Sequence, residues 1–368
     1  MQKFLLLLMI LLPLELTAQR LIDNPVSVQK VQKAVDYIYG FQFDKSNAAI
    51  QELKPLIGSH PGFSLLEALQ LYWQYYPLQQ DTDPHNQYEQ LMLLTADRAG
   101  QMLKKDKNDV EGVFFSLAAY GYLTSYYADK GNLLKTINYA KKSYSFLMDG
   151  MDLKDEYVEF FFTTGLYNYY REKYPENHPA YKPFLWFFQS GDKDQGITQL
   201  KKGADQAVFT STEALNYLYH ILLHYESDPQ RSFPYVKRLH EKFPKNDVFL
   251  IFYIENMLEL NKVTNVIPLI DKIERKENFY QLARNLFEGN VEEKFYKKHN
   301  EALAKYALAV KFSQNANTDV DHYIALKDTL AYNKQGSIRS YTPCNDRSSG
   351  HKRRDATGSG DPLFNPGV

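Results

Sequence analysis

From Val28 to about Tyr332 apolar positions recur three or four residues apart, and no stretch alternates residue by residue. That spacing repeats one face of a helix, whereas strict alternation would mark a half-buried strand. The chain therefore predicts helices throughout. In VQKAVDYIYGF the face is Val31, Val35, Ile38 and Phe41. NAAIQELKPLI is a second helix, stopped by Gly58-Ser59-His60-Pro61, and FSLLEALQLYWQYY is a third, broken at Pro77. The pattern continues through QYEQLMLLTADRAGQMLKK, VEGVFFSLAAYGYLTSYYA and LLKTINYAKKSYSFLM. Helices of roughly 12–20 residues alternate with short polar turns, and the expected fold class is all-α.

The turns recur. Lys107-Asn108-Asp109-Val110 returns unchanged as Lys245-Asn246-Asp247-Val248, each time with a basic helix end before it and an apolar helix after it. The separation is close to four periods of about 34 residues, the length of one helix-turn-helix unit of the tetratricopeptide type. Asn or Asp at such a start accepts from the free N–H groups of the first turn. Thr210 and Glu213, three apart, have the form of a capping box. Small residues fit the same picture: Ala302, Tyr306 and Ala309 are spaced small–aromatic–small after Leu286 and Gly289, and Ala140, Tyr144 and Leu147 nearly repeat this. His60-Pro61 and Phe243-Pro244 sit where that repeat places its inter-unit proline.

On these motifs the chain resembles the tetratricopeptide-repeat superfamily over most of Val28–Asn333. The resemblance implies a right-handed α-α solenoid of about six or seven degenerate helix pairs. It is more specific over Gly165–Phe249. There Gly165-Leu166-Tyr167-Asn168, a proline-bearing insert, Phe184 to Lys193, and Gly196-Ile197 with Leu200 follow one another. Glu213-Ala214-Leu215, Leu222-Leu223-His224-Tyr225-Glu226 and Lys242-Phe243-Pro244-Lys245-Asn246 come after them. This layout resembles a eukaryotic tetratricopeptide family associated with the mitochondrial outer membrane and inclusion-body clearance. The start of the chain departs from that family and is similar instead to secreted proteins of Bacteroidota type.

That start, MQKFLLLLMILLPLELTAQ, has the layout of a secretory signal peptide: Lys3, an apolar run from Phe4 to Leu14, and small Ala18 at a cleavage point. The run is well short of the roughly 20 residues a spanning helix needs. Export to the periplasm or cell envelope is expected, with residues 1–19 removed and residues 20–333 forming the helical domain. From about residue 334 to 368 the chain is rich in Gly, Ser, Pro and Asp without periodicity, which predicts a disordered tail. Cys344, the sole cysteine, lies in it, so no internal disulfide and no lipidated cysteine near residue 19 are expected. Acidic and basic residues, 44 against 43, are mixed along the chain, and no nucleic-acid footprint appears. With 29 tyrosines and 23 phenylalanines at helical spacing, the aromatics are read first as inter-helix packing.

No enzyme motif is present: there is no G-x-S-x-G elbow, no Walker-type loop and no dinucleotide fingerprint. No cofactor is implied. His220 and His224, four apart, would share a helix face, with Glu213 seven residues before His220 roughly on it. The glutamate of H-E-x-x-H is missing, and a metal would need further ligands. The remaining candidate is the aromatic insert at 171–190. Pro175 and Pro179 are expected to end the helix after Tyr174 and extend the chain. Phe184 to Phe188 is apolar on every face and demands burial. The insert either pins itself to the array through its rings or offers a surface formed by Tyr167, Tyr170, Arg171, Tyr174, His178, Trp186 and Asp192. The expected function is non-catalytic: a scaffold or adaptor holding a protein or peptide segment in the concave face of the solenoid. A glycan or small-molecule binder using the insert is the alternative, and a metal-dependent enzyme using His220 and His224 is the third reading. Peripheral association with the envelope is compatible with all three.

Overall fold

The computed structural model describes residues 20–78, 82–177, 188–314 and 333–335. The expected signal peptide, residues 178–187 of the insert and nearly all of the expected tail lie outside them. Among the described residues there is no strand. The α-helices are α1 (Pro25–Tyr39), α2 (Phe43–Ile57), α3 (Pro61–Gln74), α4 (Asp83–Lys105), α5 (Val110–Asp129), α6 (Leu133–Leu153) and α7 (Phe160–Asn177). They continue as α8 (Lys193–Gln206), α9 (Ser211–His220), α10 (Pro229–Lys242), α11 (Asp247–Glu259), α12 (Val263–Ile270), α13 (Asn278–Lys294) and α14 (His299–Gln314). A π-helical turn, Ile221–Tyr225, extends α9. Each helix packs on its neighbour in the chain, as the short polar turns require.

The helix starts are chemically explicit. Asn24 accepts from the Val26 and Ser27 N–H groups with Pro25 opening the helix, and Asn132, Asp192 and Asp228 each accept from the N–H three residues on. The repeated Lys-Asn-Asp-Val turn starts a helix both times, but with a one-residue difference. Asp109 caps α5 through Gly112 N–H, whereas Asn246 caps α11 through Val248 and Phe249 N–H. In the second copy the Asn246 amide also donates to the Tyr39 carbonyl at 2.9 Å. That contact between distant segments fixes the choice of cap.

Two starts differ from expectation. The Thr210–Glu213 capping box does not form. The Thr210 hydroxyl donates to Glu159 at 2.8 Å, and the same buried carboxylate accepts from the Val208, Phe209 and Thr210 N–H groups. A distant glutamate thus engages the N-cap residue Thr210 and the turn before it, and Glu213 points inward to Tyr39. The helix predicted to end after Tyr174 instead runs through Pro175 to Asn177. Pro175 sits in the last turn, where its missing N–H removes a single terminal hydrogen bond.

Inner and outer helices alternate. Odd-numbered α9 and α11 are buried on nearly every face, while even-numbered α10 and α14 bury one stripe only. In α14 the buried residues are Ala302, Tyr306 and Ala309, the small–aromatic–small set read from the sequence, and Tyr306 lies over Gly289 of α13.

The inner helices meet across the molecule. Tyr39 of α1 packs on Trp73 of α3 and on Phe243 and Phe249, with ring centroids 5.1, 5.8 and 6.3 Å apart. Trp73 reaches Phe249 at 5.5 Å, and Tyr76 reaches Phe279 of α13 at 5.6 Å. Asp36 and Lys242 form an ion pair at 2.8 Å over this junction. Helix α1 and the end of α3 therefore lie against α10, α11 and α13, and aromatic side chains fill the space between them.

Candidate functional site

The insert leaves α7 and re-enters the described chain at Phe188. Its exit is held by α6 and α7. The Tyr167 hydroxyl donates to the Gln189 carbonyl at 2.6 Å, the Gln189 N–H donates to the Tyr144 hydroxyl at 3.3 Å, and Phe188 meets Tyr144 edge-on. The Arg171 guanidinium reaches the Phe188 carbonyl at 3.4 Å and pairs with Glu172, which accepts from Gly191 N–H. Gly191 and Gly196 permit this seat. A Cβ on Gly191 would stand 2.5 Å from the Asn168 carbonyl oxygen, and one on Gly196 would stand 2.7 Å from the Gly165 oxygen.

The predicted surface residues divide accordingly. Tyr167 and Tyr170 are buried, at 6 % and 1 % exposure, and Tyr169 between them is fully buried with its hydroxyl on Glu226 at 2.5 Å. Burial and the hydrogen bond to Glu226 push the Tyr169 phenol upward. Asp192 is the N-cap of α8, accepting from Gln195 N–H at 2.9 Å. These rings and this carboxylate are spent on packing and capping, because Tyr167, Tyr169 and Tyr170 cover three sides of a helix and all three are buried. Arg171 is half-buried against the insert's exit. Tyr174 lies in the last turn of α7. His178 and Trp186 lie outside the described residues.

His220 and His224 do come together. The π-turn at Ile221–Tyr225 adds a residue to the usual helical spacing and lays the two imidazoles parallel, with centroids 5.3 Å apart. Glu255 of α11 lies beyond them. It accepts from the Tyr219 hydroxyl at 2.6 Å and stands 3.9 Å from His224 Nε2. Burial raises the Glu255 carboxyl to about 7, against the hydrogen bond from Tyr219. Glu213 does not share this site: its side chain faces α1 and accepts from Tyr39. Among the described residues no group of three or more His, Cys, Asp or Glu could hold a metal ion.

Two features were not legible in the sequence. One is the burial of Glu213 against Tyr39, which is visible only once α1 and α3 are placed beside α9. The other is the outer face of α6, where Leu133, Leu134 and Ile137 are 69 %, 83 % and 44 % exposed. Only Gly150 of α6 is buried. Beside these apolar residues Tyr127, Tyr139, Tyr120 and Phe146 form a stacked row, with Lys135 over Tyr127 and Lys142 over Tyr120 and Tyr139. The run LLKTI gave no signal of it, since residues 133, 134 and 137 share one helix face and read as a stripe to be buried.

No described helix is long and apolar enough to cross a membrane. Comparison with protein-family models, with curated proteins and with solved structures gives no match to this chain.

Proposed function

We propose that this protein is an exported, non-catalytic binding scaffold of the cell envelope, built as a tetratricopeptide-like right-handed array of helix pairs. The repeat reading rests on the alternation of inner and outer helices and on the Gly289–Tyr306 packing within α13–α14. The export reading rests on the Lys3, Phe4–Leu14 and Ala18 pattern.

The partner is a protein segment, and the observation that carries this is the exposed apolar start of α6. A helix exposing Leu133, Leu134 and Ile137 together presents an apolar patch of the kind that marks protein interaction sites. The inner side is less suited to a partner, because Tyr39, Trp73, Phe243 and Phe249 already occupy the space between α1–α3 and α10–α11. The tested pair is the full chain and its Leu133→Ser/Leu134→Ser variant, both immobilised and exposed to envelope extract. Both substitutions are at exposed positions, so the helical circular dichroism should be unchanged. A protein retained by the first and released at least tenfold by the second supports the reading. Equal retention by both removes α6 as the binding surface.

A further inference from the structure

Near the centre of the molecule Glu213 of α9 is 5 % exposed. Its Oε1 accepts from the Tyr39 hydroxyl at 2.6 Å. Among the described residues its Oε2 has no hydrogen-bond partner, and no lysine, arginine or histidine pairs with the carboxylate. Trp73 Nε1 and both polar atoms of the Asn216 amide are likewise buried without partners among those residues. Trp73 and Asn216 are near enough to weaken the carboxyl's hold on its proton, but neither reaches hydrogen-bond geometry. A buried carboxylate normally has a cation or several donors beside it, because an isolated buried charge is expensive.

Glu213 lines a small, partly open cavity between α3, α4, α5 and α9, bounded by Tyr72, Tyr88 and Tyr122 with Leu65, Leu69 and Met92. Its free space is that of about one water molecule. The Tyr72 and Tyr88 ring centroids are 6.0 Å apart, and Tyr88 and Tyr122 are 6.1 Å apart and edge-on. Three tyrosine rings turned about one another line the cavity beside a carboxylate. Aromatic faces attract cations and can enclose ammonium groups. Burial and the nearby Glu213 charge hold the Tyr72 and Tyr122 phenols neutral. The walls therefore offer a carboxylate and aromatic rings of uncharged tyrosines, and no positive charge.

We propose that this cavity is a binding site for a small monovalent cation of ammonium size. The cation donates an N–H to Glu213 Oε2 and lies against the tyrosine rings. Size separates it from its competitors. Tetramethylammonium and larger organic cations exceed a water-sized space, and sodium needs a fuller shell of oxygens than a single carboxylate in a wall of rings, leucines and a methionine supplies. The cation replaces the missing partner of a buried charge, so its binding stabilises the fold. The site is independent of the α6 surface, and either proposal can fail alone.

The test is thermal unfolding of the full chain at pH 8.5, where Glu213 is ionised, titrated with ammonium chloride against sodium chloride at equal ionic strength. Tetramethylammonium chloride is the oversized control. The midpoint should rise by a few degrees and saturate with ammonium only. Glu213→Gln keeps the Tyr39 hydrogen bond and should abolish the rise. Tyr122→Phe keeps the ring while removing a phenol, and should weaken the apparent affinity several-fold. It serves as the deciding variant if Glu213→Gln does not fold. No saturable shift in the native protein, an equal shift with sodium or tetramethylammonium, or an undiminished shift in the folded variant would overturn the proposal.

Discussion

At the scale of single residues, buried carboxylates do the connecting. Glu159 reaches the α8–α9 turn and accepts from three consecutive N–H groups. Glu111 does the same for the segment before α1, accepting from Leu21 and Ile22 N–H and standing 3.2 Å from His60 Nε2. Glu213 and Glu255 are less well supplied, with one tyrosine hydroxyl each, and burial raises both to about 7. Between roughly pH 4.5 and 7 the unfolded chain releases these protons while the folded chain keeps them, so stability falls as pH rises through that window. Each pH unit between the unfolded and folded values corresponds to about 1.36 kcal/mol, so each group can cost up to about 3 kcal/mol above the window. Urea unfolding should therefore show lower stability at pH 8 than at pH 5. The Glu213→Gln/Glu255→Gln variant should lose most of that difference, leaving a remainder from Glu159, whose carboxyl burial also raises. A pH 5 to 8 difference unchanged in the variant would mean that other groups cause it.

At the scale of elements, the crossing of α7 and α8 depends on Gly165 and Gly196. A Cβ at Gly196 would meet the Gly165 oxygen and the Tyr169 nitrogen at 2.7 Å, and backbone atoms cannot swing aside as a flexible side chain can. Gly100, in α4, faces open space. Alanine gains about 1 kcal/mol over glycine in a helix interior, and overpacking costs about 1–3 kcal/mol. Gly100→Ala should thus stabilise the protein by up to ~1 kcal/mol, while Gly196→Ala should destabilise it despite the same gain in propensity. Denaturant midpoints of the two variants check this, and a stabilised Gly196→Ala protein would contradict the close crossing. Much at this scale was legible beforehand. The helices appear where the apolar spacing placed them, and Ala302, Tyr306 and Ala309 were identified as a packing set from spacing alone. The Thr210–Glu213 box was not readable correctly, because Glu159, about fifty residues away, takes the Thr210 N–H and hydroxyl that the box would use.

At the scale of the whole molecule, the decisive contacts join α1 and α3 to α10, α11 and α13. In an open repeat array each unit touches only its neighbours, and stability is close to a sum of local terms. Here Trp73 is 1 % exposed between Tyr39, Tyr76 and Phe249, so the two ends share one core. Truncation of a buried aromatic costs about 3–5 kcal/mol. Trp73→Ala should lose that much, and hydrogen exchange should accelerate in α1–α3 and α11–α13 together. Acceleration confined to α2–α4 would mean that the ends unfold independently.

Local rules act within a few residues: periodicity sets the helices, side-chain caps and prolines set their limits, and small residues set which faces approach. These rules determined the all-α class, the succession of helices and the absence of a recognisable catalytic motif. They also left the insert's tyrosines open between packing and binding. The tertiary structure decided that Tyr167, Tyr169 and Tyr170 are interior, since only the placement of α6, α8 and α9 around α7 says which sides of it are enclosed. It also decided that Glu213 faces a cavity rather than its own helix start, and that Leu133 and Leu134 remain uncovered. Burial depends on what arrives from elsewhere in the chain, and spacing along one helix carries no information about that.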